Sequence, residues 1–464
     1  MSEASLRKGM TLPHHRRDRM PVRAVAAEVV SGPDAGKQHA GADQLTIGTA
    51  EGNDLVVGDR TVSGFHLRAS RTDAGILVED RRSTNGIFVG DLRLERAVVP
   101  PGTEIVLGET VVRLTDGADL EVEVHDGEEL GGLRARSPAM RRLLAQIAKA
   151  ARSEVAVLIQ GESGVGKELV ARALHELGPR ASGPFVTVDC ASLSPMLVAS
   201  ELFGHEKGSF TGADRRHVGA FERGHGGTIF LDEIGELPDS LQPALLGALE
   251  RRKLRRVGGR DEIPFDARVV CATHRDLSAE VNSGRFRLDL YYRIAVVKLA
   301  VPPLRDRPED VPMLTSHFLE RAGYASDPLV QQLFGPSMIQ AMQRHDWPGN
   351  VRELRNVVEA TVAMGEAPEL VARSGQTLRP PTASTPPAAS APSIAPPSGQ
   401  SSFYAALVSQ PYRQARASVL HEFELAYLRA LLDKASGNVA QAARDADMDR
   451  SHLFELLKRH GLRT

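Results

Sequence analysis

The chain has 464 residues, 42% of them hydrophobic, with 57 Lys and Arg against 59 Asp and Glu for a net charge of −2. That length allows two to four domains with sizeable cores. The near-neutral balance excludes blanket nucleic-acid affinity, so any DNA contact has to be local.

Residues 1–23 are polar and basic, with Arg7, Lys8, Arg16, Arg17 and Arg19, and predict a disordered tail rather than a secretion signal. No run of about 18 apolar residues exists to span a bilayer; no membrane partner and a cytoplasmic location are expected. The two cysteines, Cys190 and Cys271, sit in apolar strand-like runs and read as reduced core thiols.

Over 24–118 the texture is short alternating runs, LTIG, DLVVG, GILVED, GIFVG and EIVLG, broken by Gly, Asp and Asn. This predicts an all-β sandwich, with Asn85-Gly86 as a hairpin turn. Within it, Gly48, Ser63, His66 and Ser83-Thr84-Asn85-Gly86 resemble the forkhead-associated (FHA) family of phosphothreonine-binding domains. The resemblance implies that His66 braces the loops and that Ser63, Thr84 and Asn85 contact phosphate and peptide backbone. The implied partner is a threonine-phosphorylated protein or a Ser/Thr kinase. That family usually has Arg after the glycine and often a basic residue after the serine, where this chain has Thr49 and Gly64. A dianionic phosphate then needs another cation. Arg60 is nearest in sequence, and Arg81 and Arg82 come next. The alternative is an unphosphorylated protein partner, such as another part of this chain.

Residues 119–131 continue an acidic run that begins at Asp116 and read as an exposed connector. An amphipathic helix from Ser137, with Met140, Leu143, Leu144, Ile147 and Ala148 on one face, leads into the apolar run VAVLI. There follows Gly161-Glu162-Ser163-Gly164-Val165-Gly166-Lys167-Glu168 and then a helical pattern. Strand, glycine-rich turn and helix make a phosphate loop: the glycines let successive N–H groups point inward, the helix dipole adds positive potential, and Lys167 meets the outer phosphates. Glu168 stands where Ser or Thr normally reaches Mg2+, so the ion must be held from elsewhere. The β-prone run Thr228 to Leu231 ends in Asp232-Glu233. Asp232 is the expected magnesium ligand and Glu233 the base that orients and deprotonates water, which favours ATP hydrolysis over transfer. Further strands at 185–188 and 268–272 alternate with helices, predicting a wound α/β subdomain over 132–302, and 303–373 reads as a helical lid.

The segments GESGVGKELVARALH, ELFGHEKGSFTGA, GGTIFLDEIGELP, FRLDLYYRI and WPGNVRELRN together resemble the AAA+ domain of sigma-54-dependent transcriptional activators, the bacterial enhancer-binding proteins. In that family a glutamate after the phosphate-loop lysine is normal. The resemblance implies that Thr273 senses the γ-phosphate, that Arg352 is a second sensor, and that Arg287 and Arg293 are offered to a neighbouring subunit's nucleotide. A planar guanidinium suits charge spread over phosphate oxygens. It also implies that Gly208-Ser209-Phe210-Thr211-Gly212-Ala213, a glycine-bracketed loop with an exposed aromatic, engages sigma-54. Ser209 for Ala is a mild departure. Asp189, where the family often has an Asn that restrains the catalytic glutamate, and His217, where Arg is commoner, are others.

Residues 374–412 form a Pro-, Ala- and Ser-rich linker. Three short helices over 413–464 resemble the Fis-type helix-turn-helix, with Asp447 in place of a usual turn glycine. Arg450, Ser451, His452, Glu455, Lys458 and Arg459 are the expected DNA-binding residues. The expectation is thus a three-part chain: a β-sandwich, an α/β ATPase with its lid, and an all-α DNA-binding domain. It implies a homo-oligomer, dimer to hexamer ring, that binds enhancer DNA and uses ATP and Mg2+ to remodel sigma-54 RNA polymerase. A ring motor not acting on sigma-54, or an FHA-based adaptor, are the alternatives; intact Lys167, Asp232 and Glu233 argue against the adaptor.

Overall fold

The computed structural model describes residues 19–42, 44–72, 74–191, 194–366, 370–371 and 377–378. Within 427–457 it describes Tyr427, Leu428, Leu431, Ala435, Val439, Ala442, Ala443 and Leu457. The chain divides into two units, 1–382 and 383–464.

The first eleven strands are β1 (Arg19–Ser31), β2 (Gln38–Gly41), β3 (Gln44–Gly48), β4 (Leu55–Val56), β5 (Leu67–Thr72), β6 (Gly75–Asp80), β7 (Ile87–Val89), β8 (Leu92–Leu94), β9 (Arg96–Val99), β10 (Glu104–Leu107) and β11 (Thr110–Glu123). They form two sheets, ordered β2-β1-β11-β10-β7-β8 and β4-β3-β5-β6-β9. Alternation sets which residues turn inward: along β3, Leu45 and Ile47 are buried while Gln44 is exposed. Leu45, Ile47, Ile76, Ile105 and Leu107 share one fully buried core.

Two expectations need correction here. β1 starts at Arg19, ahead of the boundary at 24, and β11 runs past 118 to Glu123. Residues 19–23 pair with 119–123, from Arg19 opposite Glu123 to Arg23 opposite Asp119. A basic strand beside an acidic one is a favourable cross-strand arrangement, so the supposed tail end and connector zip into a ribbon, with Arg19 on Glu121 at 3.2 Å. Asn85-Gly86 is not a hairpin turn either. β6 pairs with β5 and β9, and β7 with β8 and β10, so the segment crosses between the sheets. Its bonds go to side chains instead: Gly86 N–H donates to Ser83 Oγ at 2.9 Å and its carbonyl meets His66.

A short hairpin, β12 (Glu129–Leu130) with β13 (Leu133–Arg134), leads to α1 (Pro138–Ala151), whose start is set by the Ser137 cap and Pro138 in the first turn. The following elements are β14 (Val157–Gln160), α2 (Lys167–Glu176), β15 (Phe185–Asp189), α3 (Pro195–Phe203), α4 (Ala220–Arg223), β16 (Thr228–Asp232) and α5 (Gln242–Arg251). After them come β17 (Lys253–Leu254), β18 (Ile263–Pro264), β19 (Arg268–Thr273), α6 (Leu277–Asn282), α7 (Leu288–Ile294) and β20 (Val297–Ala300). The five long strands make a parallel sheet ordered β15-β16-β19-β14-β20. β19 is buried along its whole length, as a strand covered on both faces must be. Its first residue, Arg268, is a buried cation that donates to the carbonyls of Ala150, Ala151 and Leu174 at the ends of α1 and α2, where orphan carbonyls favour positive charge.

The lid is α8 (Asp310–Arg321), α9 (Pro328–Leu333), α10 (Pro336–Arg344) and α11 (Asn350–Met364), packed around the fully buried Trp347. A last pair, β21 (Leu370–Val371) with β22 (Thr377–Leu378), places strand where the linker from 374 was expected. In the second unit Leu428, Leu431, Ala435, Val439, Ala442, Ala443 and Leu457 form one buried cluster. The expected DNA-contacting residues Arg450, Ser451, His452, Glu455, Lys458 and Arg459 lie outside the described residues.

Lid and core are joined by Asp310. Its buried carboxylate accepts from Arg136 N–H at 2.7 Å, Ser137 N–H at 2.6 Å and Ser137 Oγ at 2.9 Å, and lies 3.8 Å from the buried Arg307. Asp310→Ala should cost about 3–5 kcal/mol, because it strands both two amides and a cation. Denaturant unfolding of the full chain measures it.

Candidate functional site

The glycine-rich turn between β14 and α2 borders a cleft of about 610 Å³. Ser163, Gly164, Val165, Gly166, Lys167 and Glu168 line it together with Asp232, Glu233 and, from the lid, Arg352. Gly164 and Gly166 have φ of 78° and 106°, the left-handed region open to glycine. Gly164 has a second reason: a Cβ there would sit 2.3 Å from the carbonyl of Gly349, so only glycine lets the lid close over the turn. Apolar Leu133, Met140, Leu314, Phe318 and Val351 also line the cleft, together with Arg134, His317 and Arg321.

Lys167 is almost fully buried, and its Nζ donates to the carbonyls of Gly161 and Glu162 and to Glu233 Oε1 at 3.1 Å. The other oxygen of Glu233 accepts from the backbone N–H of His274 at 3.0 Å and meets His274 Nδ1 at 2.7 Å. Burial by itself would push Glu233 upward, but hydrogen bonds from His274 and the Lys167 charge outweigh it and hold the carboxyl below the usual range. Asp232 moves the opposite way: burial, then the adjacent Glu233 charge, raise it. Glu233 itself sits at φ 48°, a strained conformation for a side-chain-bearing residue.

Thr273 is fully buried at the end of β19, its Oγ1 accepting from Arg275 N–H, and its carbonyl takes the Gly161 N–H. Glu168 points away to Arg172 at 2.8 Å and is exposed. Glu162 is held by Arg305 at 2.8 Å and by Asn350 at 3.1 Å, while Arg352 reaches Ser163 Oγ at 3.0 Å. Arg287 and Arg293 lie outside this cleft. Arg287 pairs with Asp289 at 2.7 Å, and Arg293 donates to the Leu249 carbonyl at 3.0 Å. Asp189 uses its carboxylate on the Ala191 N–H.

Sequence reasoning missed four groups here. His274 follows the sensor strand and carries no spacing signal. Asn350 bridges Leu304 N–H, Glu162 and Ser163, which its left-handed φ of 55° makes possible. Arg305 is the third, holding Glu162. Arg307 lies buried in the cleft, donating to the Val165 carbonyl, and burial pushes its guanidinium down to about 10.

In the Gly208–Ala213 loop, Gly208 N–H donates to the Ala213 carbonyl at 2.8 Å, closing the base, and Thr211 at the tip is exposed. Phe210 is not the exposed aromatic expected. It is half-buried, its ring set edge-on against His205 at 4.9 Å, since an apolar ring gains by covering even a polar neighbour's face. His217 also stacks on His205, with ring centroids 5.6 Å apart, and lies 3.5 Å from Glu201.

In the sandwich, Ser63 and Thr84 are neighbours: Thr84 N–H donates to Ser63 Oγ at 2.9 Å. Asn85 donates to the Thr61 carbonyl at 2.7 Å, and Arg60 is exposed on the same loop. His66 is fully buried; its Nδ1 accepts from Ser63 N–H at 3.0 Å, so Nε2 is the atom that donates to the Gly86 carbonyl at 2.9 Å. Cys190 and Cys271 are free and buried, and burial pushes both thiols up, Cys190 to about 12. No helix among the described residues is long and apolar enough to cross a membrane.

Residues 133–300 match the family model described as the Sigma-54 interaction domain, and 305–380 match that of the AAA+ ATPase lid domain. Residues 28–118 match a model described as the inner membrane component of the T3SS, cytoplasmic domain. The transcriptional regulatory protein ZraR of Escherichia coli K12 is 45% identical over 328 residues, spanning 71% of this chain and 68% of that protein. NtrX from Brucella abortus, solved with ATP, is 33% identical over 73% of this chain and 70% of its own, with a TM-score of 0.47. The FHA domain of CT664 from Chlamydia trachomatis is 22% identical over 20% of this chain and 99% of its own, with a TM-score of 0.19.

The neutral, Nδ1-accepting form of His66 makes the Ser63 loop sensitive to acid. Burial lowers its folded-state pKa below the ordinary 6.5, so its stabilisation is present above about pH 6.5 and is lost as pH falls. Hydrogen exchange of the 61–66 and 83–86 amides in the full chain, corrected for intrinsic rates, should lose protection by up to about tenfold per pH unit below that point. His66→Asn should flatten the slope.

Proposed function

Because the chain belongs to the family of sigma-54-interacting AAA+ transcriptional regulators, we propose that it hydrolyses ATP in the Lys167–Glu233 cleft and delivers the work through Thr211 to sigma-54 RNA polymerase. ATP hydrolysis is its enzymatic activity. One observation carries the proposal: Lys167, Asp232 and Glu233 meet in one cleft, in the same domain that projects Thr211 into solvent.

The apolar residues of the cleft suit a flat base, while Lys167 and the N–H groups of 164–167 take the triphosphate. Phosphate oxygens compete with Glu233 for the Lys167 ammonium. A Glu233 released from Lys167 keeps its His274 bond and is placed to orient and deprotonate water. Arg352, bonded to Ser163, ties the lid to the phosphate loop, so loss of the γ-phosphate is felt in the lid. Magnesium fits the donor set: Asp232 with phosphate oxygens and water supplies the coordination this ion prefers, and needs no multi-carboxylate cluster. Bound there, it would offset charge on the β- and γ-oxygens.

Arg287 and Arg293, outside their own cleft, are the groups offered to a neighbour, in a homo-oligomer from dimer to hexameric ring. The Gly208–Ala213 loop, based on two positive-φ glycines, is the sigma-54-engaging tip. Residues 413–464 bind enhancer DNA through Arg450, Ser451, His452, Glu455, Lys458 and Arg459. The sandwich is the regulatory input. Ser63, Thr84 and Asn85 sit together as a phosphothreonine-recognising loop cluster requires, and a threonine-phosphorylated protein or Ser/Thr kinase is its partner.

Thr211→Ala should leave ATP turnover within about twofold of wild type and reduce open-complex formation at least tenfold. Equal loss of both would put Thr211 in the catalytic machinery and remove the loop's role. Mixing Lys167→Ala with Arg293→Ala protein should recover hydrolysis that neither shows alone, since one keeps the arginine and the other the nucleotide site. No recovery in heteromers shown to assemble argues against shared sites.

A further inference from the structure

The sandwich presents its recognition loops to its own ATPase. Phe65, two residues after Ser63, sets its ring against Tyr291 of α7, with centroids 5.1 Å apart. Asn282 at the end of α6 spends its whole side chain on the sandwich: Oδ1 accepts from Phe65 N–H at 3.2 Å, and Nδ2 donates to the carbonyls of Phe65 and of Arg81, the latter at 2.8 Å. Arg81 pairs with Asp276, and Arg82 with Glu280 at 3.0 Å. Both carboxylates belong to the α6 segment, Asp276 as its cap and Glu280 within it.

The departures at the phosphate loops fit this contact. A methyl group at Gly64 would lie 3.6 Å from Asn282 Oδ1, and one at Gly52 would lie 3.0 Å from the Tyr292 ring. A long basic side chain at 64 would stand where α6 approaches. Arg82 adopts φ 55°, a left-handed conformation that strains an arginine, and it ends on a carboxylate of the ATPase. Arg81 and Arg82, the candidates after Arg60 to replace the missing phosphate ligands, therefore hold two negative charges borne by the α6 segment.

We propose that this face of the sandwich is an exchangeable docking surface: the acidic α6 segment and a phosphothreonine peptide are alternative occupants, and the peptide releases the ATPase. The proposal rests on the phosphothreonine reading above. Two carboxylates on Arg81 and Arg82 supply the charge of one dianionic phosphate, and Gly64 and Phe65 are too close to Asn282 for a peptide to lie across them while α6 is seated. Docking bears on activity because α7 carries Arg293 and is preceded by Arg287. With Phe65 and Gly52 packed on Tyr291 and Tyr292, the sandwich stands beside the groups offered to a neighbouring subunit. Both arginines are exposed with the sandwich docked, so release would clear the space beside them in which a neighbouring subunit approaches.

The test uses full-length protein, a degenerate phosphothreonine peptide library and its unphosphorylated counterpart. Asn282→Ala removes bonds made to the sandwich alone; it should bind the phosphorylated library about tenfold more tightly than wild type and show severalfold higher ATP turnover without peptide. A second variant, Gly64→Cys with Asn282→Cys, locks the docked state when oxidised. It should then bind neither library and ignore peptide in the ATPase assay, recovering both responses on reduction. Phospho-selective binding that survives the cross-link, or equal affinity in wild type and Asn282→Ala, overturns the exchange while leaving phosphothreonine recognition standing. Absence of any preference for the phosphorylated library in Asn282→Ala overturns the phosphothreonine reading, and the exchange with it.

Discussion

The structure depends on how one buried ammonium is satisfied. Lys167 lies under the phosphate loop with little access to water, and a buried cation of this kind is tolerated only with close oxygen partners. Two are carbonyls of the loop itself, which fixes the loop's curl; the third is Glu233, which ties the end of β16 to α2. The parallel sheet makes that third bond possible, since β16 and β14 both flank β19 and end at the same edge. In the proposed mechanism Glu233 therefore has two jobs that cannot be done together. While it neutralises Lys167 it is not free to act on water, and a phosphate that takes the ammonium sets it free. His274 grips the other carboxylate oxygen, so the freed glutamate keeps its aim.

The lid enters the same arrangement through short contacts rather than through a broad apolar seam. Gly164 meets the Gly349 carbonyl, Asn350 bonds Glu162 and Ser163, Arg352 bonds Ser163, and Arg307 bonds Val165. Each bond ends on the loop that cradles phosphate. A change in that loop thus reaches α11 directly, while Asp310 fixes the opposite end of the lid to the start of α1.

Much of this was legible from sequence because it rests on local pattern. Glycine spacing and an apolar run located the phosphate loop, alternation located the sandwich strands, and the apolar spacing after Ser137 located α1. What was not legible is what depends on residues far apart in the chain. The pairing of 19–23 with 119–123 reads locally as two unrelated charged segments. Asn85-Gly86 has hairpin chemistry, yet its neighbours β6 and β7 find partners in different sheets, so tertiary pairing overrides the turn preference. His274, Asn350 and Arg307 lack any periodic or spacing signal; each matters through a partner dozens of residues away. Phe210 is a different case: its cover, His205, is close in sequence but becomes a neighbour only when the loop folds back.

The same logic of charge extends from the cleft to the sandwich. Lys167 is held by Glu233, Arg305 by Glu162, Arg287 by Asp289, and Arg82 by Glu280. An internal carboxylate is a weaker and less highly charged ligand than a phosphate, so such pairs keep a cation oriented without closing it to phosphate. They also make each binding event release something. In the proposed mechanism a phosphate at Lys167 would free Glu233 to act on water, and a phosphate at Arg81 and Arg82 would free a helix. Under these two proposals input and catalysis would rest on one physical device, exchange of a carboxylate for a phosphate on a preoriented cation, with α6 and α7 as the shared structural element between them.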